Sequence, residues 1–305
     1  MTTFPDFLPQ DVNLLTDTMS IAFAQSIERI VIPLTIGSRN FTVDTAFVRS
    51  IKAENKSEPP ILLLHGFDSS MLEFRRLLPK LAIDRSVFAI DLLGFGFTDR
   101  KGIEVITPEI IKAQVYGFWQ TVMGRQPMTL VGASMGGAAA LDFALTYPEL
   151  VKQLVLLDSA GFAKAPVLAK YMVPPLSDWA TNFLRSPNVR RGVSLRAYAD
   201  PAFVTADAEC CAALHLQMPN WSEGLAMFTR SGGYGFLSDR ISEISTPTQI
   251  IWGRQDRILG TKDAARFERT IVNSTLYWLD DCGHVPHLEK PEKTARIILN
   301  SDPGE

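Results

Sequence analysis

Four short runs of this chain are almost unbroken in their hydrophobicity: ILLL at 61–64, VFAI at 87–90, LVLL at 154–157 and QIIW at 249–252. A strand with one wet face alternates apolar and polar residues, whereas a strand covered on both faces does not. Such runs therefore demand a largely parallel sheet sandwiched between helices. The full set of strand candidates is Phe41–Val48, Ile61–Leu64, Ser86–Ile90, Met128–Val131, Gln153–Leu157, Thr248–Trp252 and Thr275–Leu279. Segments of helical spacing, such as Pro108–Met123 and Gly136–Tyr147, lie between them, and this β-then-α rhythm is that of an α/β fold with right-handed crossovers. The polar stretch Lys52–Pro60 reads as an exposed loop.

The rhythm stops after Asp158. Residues 161–238 carry helix-like, proline-punctuated sequence with no convincing strand, and they contain many large apolar side chains, among them Tyr171, Trp179, Phe183, Met218, Trp221 and Phe228. They are expected to form a helical cap over a hydrophobic pocket, with the core made of 41–160 and 239–300. Residues 1–40 are read as a helical extension, because Val12–Leu34 is apolar and helix-like. Its ordinary use is packing on the core, since its flanks lack the Lys and Arg of interfacial helices; its other use is peripheral contact with a membrane.

With 30 Lys+Arg against 33 Asp+Glu the net charge is −3, which provides no basic field for a phosphate backbone, so no nucleic-acid partner is expected. The three cysteines, Cys210, Cys211 and Cys282, fit neither zinc nor a disulfide framework. No apolar run approaches the roughly 20 residues of a membrane span, and the N-terminus is acidic where a secretion signal is basic. The expected setting is cytoplasmic. No phosphate loop or metal-ligand cluster stands out, so neither a cofactor nor a metal is expected.

Gly132-Ala133-Ser134-Met135-Gly136 falls between a strand run and a helix run. In that context Gly-X-Ser-X-Gly forms a tight strand-to-helix turn that holds the serine hydroxyl exposed above the sheet, with glycine on each side avoiding a clash between strand and helix. A serine hydroxyl needs a base to take its proton, and the base needs an acid to orient it. Only His284 and His287 follow the final strand. His284, just after Gly283 and nearest the strand, is the better base, and His287 is its competitor. Asp256, in the loop opened by Gly253, is the expected acid, with Asp158 as runner-up. The amides of Phe67, after the tight turn at Gly66, and of Met135, at the helix start, are the expected oxyanion donors. His65 is expected to tie down its loop. Gly66, His65, Asp158, Trp179, Trp221 and His287 are also assigned to the wall of the substrate pocket.

With these parts in order the chain resembles the α/β-hydrolase superfamily from about residue 41 to 299. The phrases that carry the likeness are HGF at 65–67, DLLGFGFTDR at 91–100, GASMGG at 132–137, WGRQD at 252–256 and CGHVPHLEKP at 282–291. The resemblance implies a mostly parallel central sheet flanked by helices, with a cap inserted after the sixth core strand. It implies a serine hydrolase acting through an acyl-enzyme, because Ser134 stands where the dehalogenase and epoxide hydrolase branches use aspartate. HGFDSSMLEFRRLLP, SGGYGF and GHVPHLEKP are further similar to esterases of photosynthetic organisms thought to release phytol, which implies a small hydrophobic ester, such as a prenyl ester, as substrate. A C–C bond hydrolase and a non-catalytic binder of hydrophobic ligands use the same framework and are the alternatives.

Overall fold

The computed structural model describes residues 3–51, 58–164 and 167–300, so positions 52–57 of the stretch expected as a loop at 52–60 lie outside the described residues. Eight strands form one sheet: β1 (Glu28–Ile36), β2 (Arg39–Ser50), β3 (Ile61–Leu64), β4 (Val87–Ile90), β5 (Met128–Ala133), β6 (Val151–Leu157), β7 (Thr248–Gly253) and β8 (Ser274–Leu279). Their spatial order is β1-β2-β4-β3-β5-β6-β7-β8. From β4 to β8 every neighbouring pair is parallel, while β1 and β2 add an antiparallel edge. This is the α/β-hydrolase fold.

The unbroken apolar runs behave as their composition dictates. Every residue of β3, β4, β5 and β7 is buried. Successive side chains point to opposite faces, so Leu62, Leu64, Phe88, Ile90 and Leu130 enter one hydrophobic core while Ile61, Leu63, Val87, Ala89 and Val131 enter a second on the other side. Helices cover both cores: α1 (Thr18–Gln25), α2 (Leu78–Leu81), α3 (Pro108–Thr121) and α4 (Met135–Thr146) precede β6. Between β6 and β7 come α5 (Leu176–Arg185), α6 (Pro187–Ala197), α7 (Ala206–Ala213) and α8 (Trp221–Arg230), and α9 (Lys262–Thr270), α10 (Pro286–Glu289) and α11 (Pro291–Ile298) complete the chain. Among the described residues between β6 and β7 there is no strand.

The N-terminal expectation needs correction. Val12–Leu34 is not one helix: only Thr18–Gln25 is α-helical, and Glu28–Ile36 is a strand paired along its whole length with β2 through a turn at Gly37. The run ERIVIPLTI is rich in β-branched residues and holds Pro33, and both disfavour a helix interior. The short α1 is capped by the Asp17 carboxylate, which accepts from the amides of Met19 and Ser20, and it buries Phe23 and Ala24 in the core.

Candidate active site

The chain leaves β5 and reverses into α4 at Ser134, whose φ of 51° and ψ of −118° are strained for any residue with a Cβ. The strain is held by its surroundings. Ser134 N–H donates to the Leu157 carbonyl at 2.9 Å, and the Ser134 carbonyl accepts from Ala160 at 2.9 Å and Gly137 at 3.0 Å. The flanking glycines are required by space: a Cβ on Gly132 would stand 2.2 Å from the Gly136 carbonyl oxygen, and one on Gly136 would stand 2.1 Å from that of Leu64. Strand and helix thus cross too closely for side chains, and the serine is pushed up at the carboxyl end of the sheet.

The loop after β7 brings Asp256 to the loop after β8. Oδ1 of Asp256 accepts from the amides of Ile258 at 2.7 Å and Leu259 at 3.1 Å, which leaves Oδ2 facing Nδ1 of His284 at 3.0 Å. Burial would raise this carboxyl, but the hydrogen bond and charge of His284, joined by the two amides, outweigh it and hold Asp256 below its ordinary range. Asp256 is therefore ionised and accepts the Nδ1 proton, leaving Nε2 of His284 as the basic nitrogen. Ser134 and His284 line one cavity of about 260 Å³, together with Gly66 and Phe67.

Asp158 does not take the acid's place. It is wholly buried behind Asp256, its Oδ1 accepts from the Gly253 amide at 3.0 Å, and burial followed by the neighbouring Asp256 charge pushes its carboxyl well up. Asp158, Asp256 and His284 do offer three ligand atoms within 4.8 Å of one another. That triplet suits proton handling better than metal binding, because burial disfavours the charged form of Asp158 and Asp256 already accepts from three donors.

On the opposite rim, Gly66 N–H donates to Glu73 Oε1 at 3.1 Å, fixing the turn after β3. Among the described residues the amides of Phe67 and Met135 have no acceptor within the chain. His65 is locked by its Nδ1 contact to the Gly66 carbonyl at 2.8 Å and by the Leu92 amide, which donates to Nε2 at 3.0 Å. Burial pushes its ring down to about 3, so it is a neutral brace.

Gly66 and His287 line the cavity as expected, whereas four residues assigned to its wall do not. His65 and Asp158 are buried beneath it. Trp221 is buried behind the Phe67 turn, where its indole meets Asp68, and Trp179 is on the surface with 69% of its area exposed. Aromatic type alone does not distinguish a wall from a foundation. Three carboxylates that the sequence pattern did not single out organise the rim: Asp68, Glu73 and Glu289. Oε2 of Glu289 accepts from Gly283 at 2.6 Å and its Oε1 from Ala199 and Asp200 at 2.9 and 3.2 Å, so the His284 loop is tied to the segment after α6. His284 itself donates its amide to the Ala197 carbonyl at 2.7 Å. Their signal lay inside the quoted phrases, HGFD, MLEF and HLEKP, but a buried anchor has no sequence mark separating it from a surface acid.

A second cavity of about 270 Å³ shares Phe67 with the first and is lined by Met135, Ala138, Phe228, Tyr234 and the glycine-rich turn 232–235. The two cavities thus meet at Phe67, one of the two residues whose amides have no acceptor among the described residues, while Met135 lines the second cavity alone.

The alpha/beta hydrolase fold family model matches residues 59–291, and the chain belongs to that family. It is 32% identical over 305 residues, 99% of this chain and 91% of the relative, to the alpha/beta hydrolase domain-containing protein VTE7 of Arabidopsis thaliana. It is 26% identical to human monoacylglycerol lipase ABHD6, over 84% of this chain and 79% of that one. Among solved structures, a thermophilic esterase from Thermogutta terrifontis superposes with a TM-score of 0.73 at 23% identity, covering 90% of this chain and 97% of the esterase. The protein is a hydrolase of this fold, and among the described residues no helix is long and apolar enough to cross a membrane.

Proposed function

We propose that the protein is a serine hydrolase of carboxylic esters that carry a hydrophobic chain. The observation that carries this reading is the strained Ser134 sharing a cavity with a His284 whose far nitrogen is held by Asp256 at 3.0 Å. Ser134 Oγ attacks the ester carbonyl carbon while Nε2 of His284 takes its proton. The carbonyl oxygen becomes an oxyanion facing the Phe67 and Met135 amides, which are already oriented and so need no reorganisation as the charge develops. Collapse breaks the C–O bond, and the leaving alkoxide takes the proton from His284. Water then repeats the sequence on the acyl-enzyme, releasing the acid and restoring Ser134. Asp256 stays ionised and offsets the imidazolium charge throughout.

The second cavity supports the hydrophobic part of the reading. Its wall is aromatic rings, methyl groups and bare glycine backbone beside Met135, a surface that gains most from burying hydrocarbon. The first cavity is lined by Leu184, Val193, Val285 and Leu288 as well as by Ser69, Ser70, Glu73 and Arg75, so it suits the ester group together with an adjoining hydrocarbon segment. Under this reading the helices from α5 to α8 act as a cap, and a prenyl ester such as a phytyl ester is a natural candidate.

The test is pre-steady-state hydrolysis of p-nitrophenyl esters from acetyl to palmitoyl by the wild type and Ser134→Ala. A burst that Ser134→Ala abolishes is expected, with an optimum at longer chains. Turnover of esters without dependence on Ser134 would refute the assignment. If no ester gives either a burst or Ser134-dependent turnover, the same residues point to C–C bond hydrolysis or ligand binding instead. Release of phytol from a chlorophyll dispersion, again against Ser134→Ala, tests the prenyl substrate.

A further inference from the structure

Asp68 follows directly after Phe67 and occupies the left-handed region, with φ of 48°. Aspartate tolerates that conformation better than most residues, but it still needs support. Its carboxylate is 6% exposed and accepts from three elements that all lie between β6 and β7. Oδ1 takes the indole N–H of Trp221 at 2.9 Å, from the start of α8, and Nε2–H of His215 at 3.2 Å, from the 3-10 turn Leu214–Gln217. Oδ2 takes Nη1 of Arg190, from α6, at 2.6 Å. The other Arg190 nitrogen donates to the Asp68 carbonyl at 3.4 Å and to the Ala212 carbonyl at 2.6 Å. Burial works against the Asp68 charge, but the hydrogen bond and charge of His215, followed by Arg190 and Trp221, outweigh it and hold the carboxyl below its ordinary range.

The consequence concerns the residue in between. Phe67 is gripped on its N-terminal side by Glu73, through the Gly66 amide, and on its C-terminal side by Asp68. One grip comes from the core and the other from the helical insertion. An oxyanion donor is effective only when its direction is set before the reaction, and an error of a few tenths of an ångström weakens it. We propose that Asp68 is a positioning residue that makes the Phe67 amide competent only when α6, α8 and the Leu214–Gln217 turn are docked on it, so that the insertion acts on catalysis as well as on substrate access. Because Arg190, Trp221 and His215 come from separate elements, loss of any one loosens the turn partially.

This inference rests on the ester-hydrolase reading for its kinetic effect, and its structural half is measured without turnover. Trp221→Phe keeps one aromatic ring and removes the N–H donor with the other ring. Asp68→Asn keeps the shape and turns an acceptor toward a donor clash with Arg190. Expected are a kcat per titrated active site lowered about 10-fold in the first and about 30-fold or more in the second, with KM changed less than about 3-fold. Affinity for a trifluoromethyl ketone, whose bound oxyanion occupies the hole, should fall in parallel. Arg190→Lys should recover most of what Arg190→Met loses. Amide hydrogen exchange in a peptide covering 65–70 should speed at least about 10-fold in Trp221→Phe and Asp68→Asn. Unchanged exchange in that peptide overturns the proposal whatever the kinetics show. Faster exchange with unchanged kcat per site and unchanged ketone affinity overturns the catalytic half and leaves Asp68 a stabilising contact. Should the wild type form no Ser134 acyl-enzyme, the ester reading fails separately, and the exchange result still decides whether the insertion holds the turn.

Discussion

Nδ1 of His284 stands 3.0 Å from Oδ2 of Asp256, on loops that follow two neighbouring strands, β7 and β8. The carboxylate has no freedom to turn away, because Ile258 and Leu259 hold its other oxygen. Asp256→Asn preserves the shape but presents either an N–H to the ring's N–H or an oxygen without charge. The imidazolium then lacks its counter-charge, and the wrong tautomer becomes favoured. The expected result is a fall in kcat on the order of 10³- to 10⁴-fold with KM nearly unchanged, read from steady-state hydrolysis of a p-nitrophenyl ester. A variant within 10-fold of wild type would remove Asp256 from the mechanism.

The crossing of β5 and α4 beside β3 gives a second prediction. A methyl group on Gly136 would meet the Leu64 carbonyl at 2.1 Å and the His65 carbonyl at 2.6 Å, both of them backbone. Neither can yield without moving the strand that leads to Gly66 and Phe67. Gly136→Ala is expected to cost about 3 kcal/mol or more and to lower the melting temperature by several degrees. Gly102, a control with nothing within 4 Å of its Cβ but with φ of 75°, should lose only about 1 kcal/mol on the same substitution. Comparable losses at the two glycines would show that the crossing is not the constraint.

What the sequence could reveal was whatever chain order and period encode. Buried strands declare themselves by unbroken apolar runs, so β3, β4, β5 and β7 are legible, and so are Ser134, Asp256 and His284, which sit at fixed places after strands. β1 was hidden although Ile30, Ile32, Leu34 and Ile36 recur at period two and pack on one core, because Val31 and Pro33 between them are also nonpolar and blur the alternation. Trp179 and Trp221 show a different limit. Both are aromatic residues of the insertion, yet Trp179 of α5 is on the surface and Trp221 of α8 is under the Phe67 turn, a distinction made by tertiary packing and not by residue type. Long-range pairs such as Asp68 with Arg190, 122 positions apart, leave no local mark.

Trp179 and Phe183 lie one turn apart on α5 and stack at 6.1 Å with 14° between their planes, yet they are 69% and 55% exposed. Tyr171 and Leu176 of the same insertion are exposed as well, and the insertion also contributes Leu184 to the Ser134 cavity. An apolar patch such as that of Trp179 and Phe183 gains by meeting an aggregated amphiphile, whereas a dissolved ester has no use for it. Trp179→Ser with Phe183→Ser should lower the rate on an emulsified long-chain ester at least about 5-fold while p-nitrophenyl acetate hydrolysis stays within 2-fold. Equal effects on both substrates would assign the patch to folding or to access instead.

Glu73 gives a prediction in pH. Burial drives its carboxyl from an ordinary 4.5 up to about 7, against the opposing hydrogen bonds from Ser69 at 2.6 Å and Gly66 at 3.1 Å. Between pH 4.5 and 7 the folded chain holds a proton here that the unfolded chain has already released. Stability must therefore fall as pH rises through that window, and it levels off above it. Asp91, also raised to about 7, adds a fall of the same sign, so the Glu73 contribution has to be read as a difference between two proteins. Glu73→Gln keeps the side-chain shape and the acceptor for Gly66 but has no proton to lose. Relative to wild type, its unfolding free energy in urea should improve from pH 4.5 to pH 8 by up to about 3 kcal/mol, since each tenfold shift in proton affinity corresponds to about 1.4 kcal/mol. The same substitution holds the Gly66 turn in one protonation state, so any activity loss of the wild type over this window that follows Glu73 ionisation should disappear in the variant. A wild-type-minus-variant stability difference that stays flat from pH 4.5 to 8 would mean that Glu73 ionises as an ordinary carboxylate and that burial does not hold its proton.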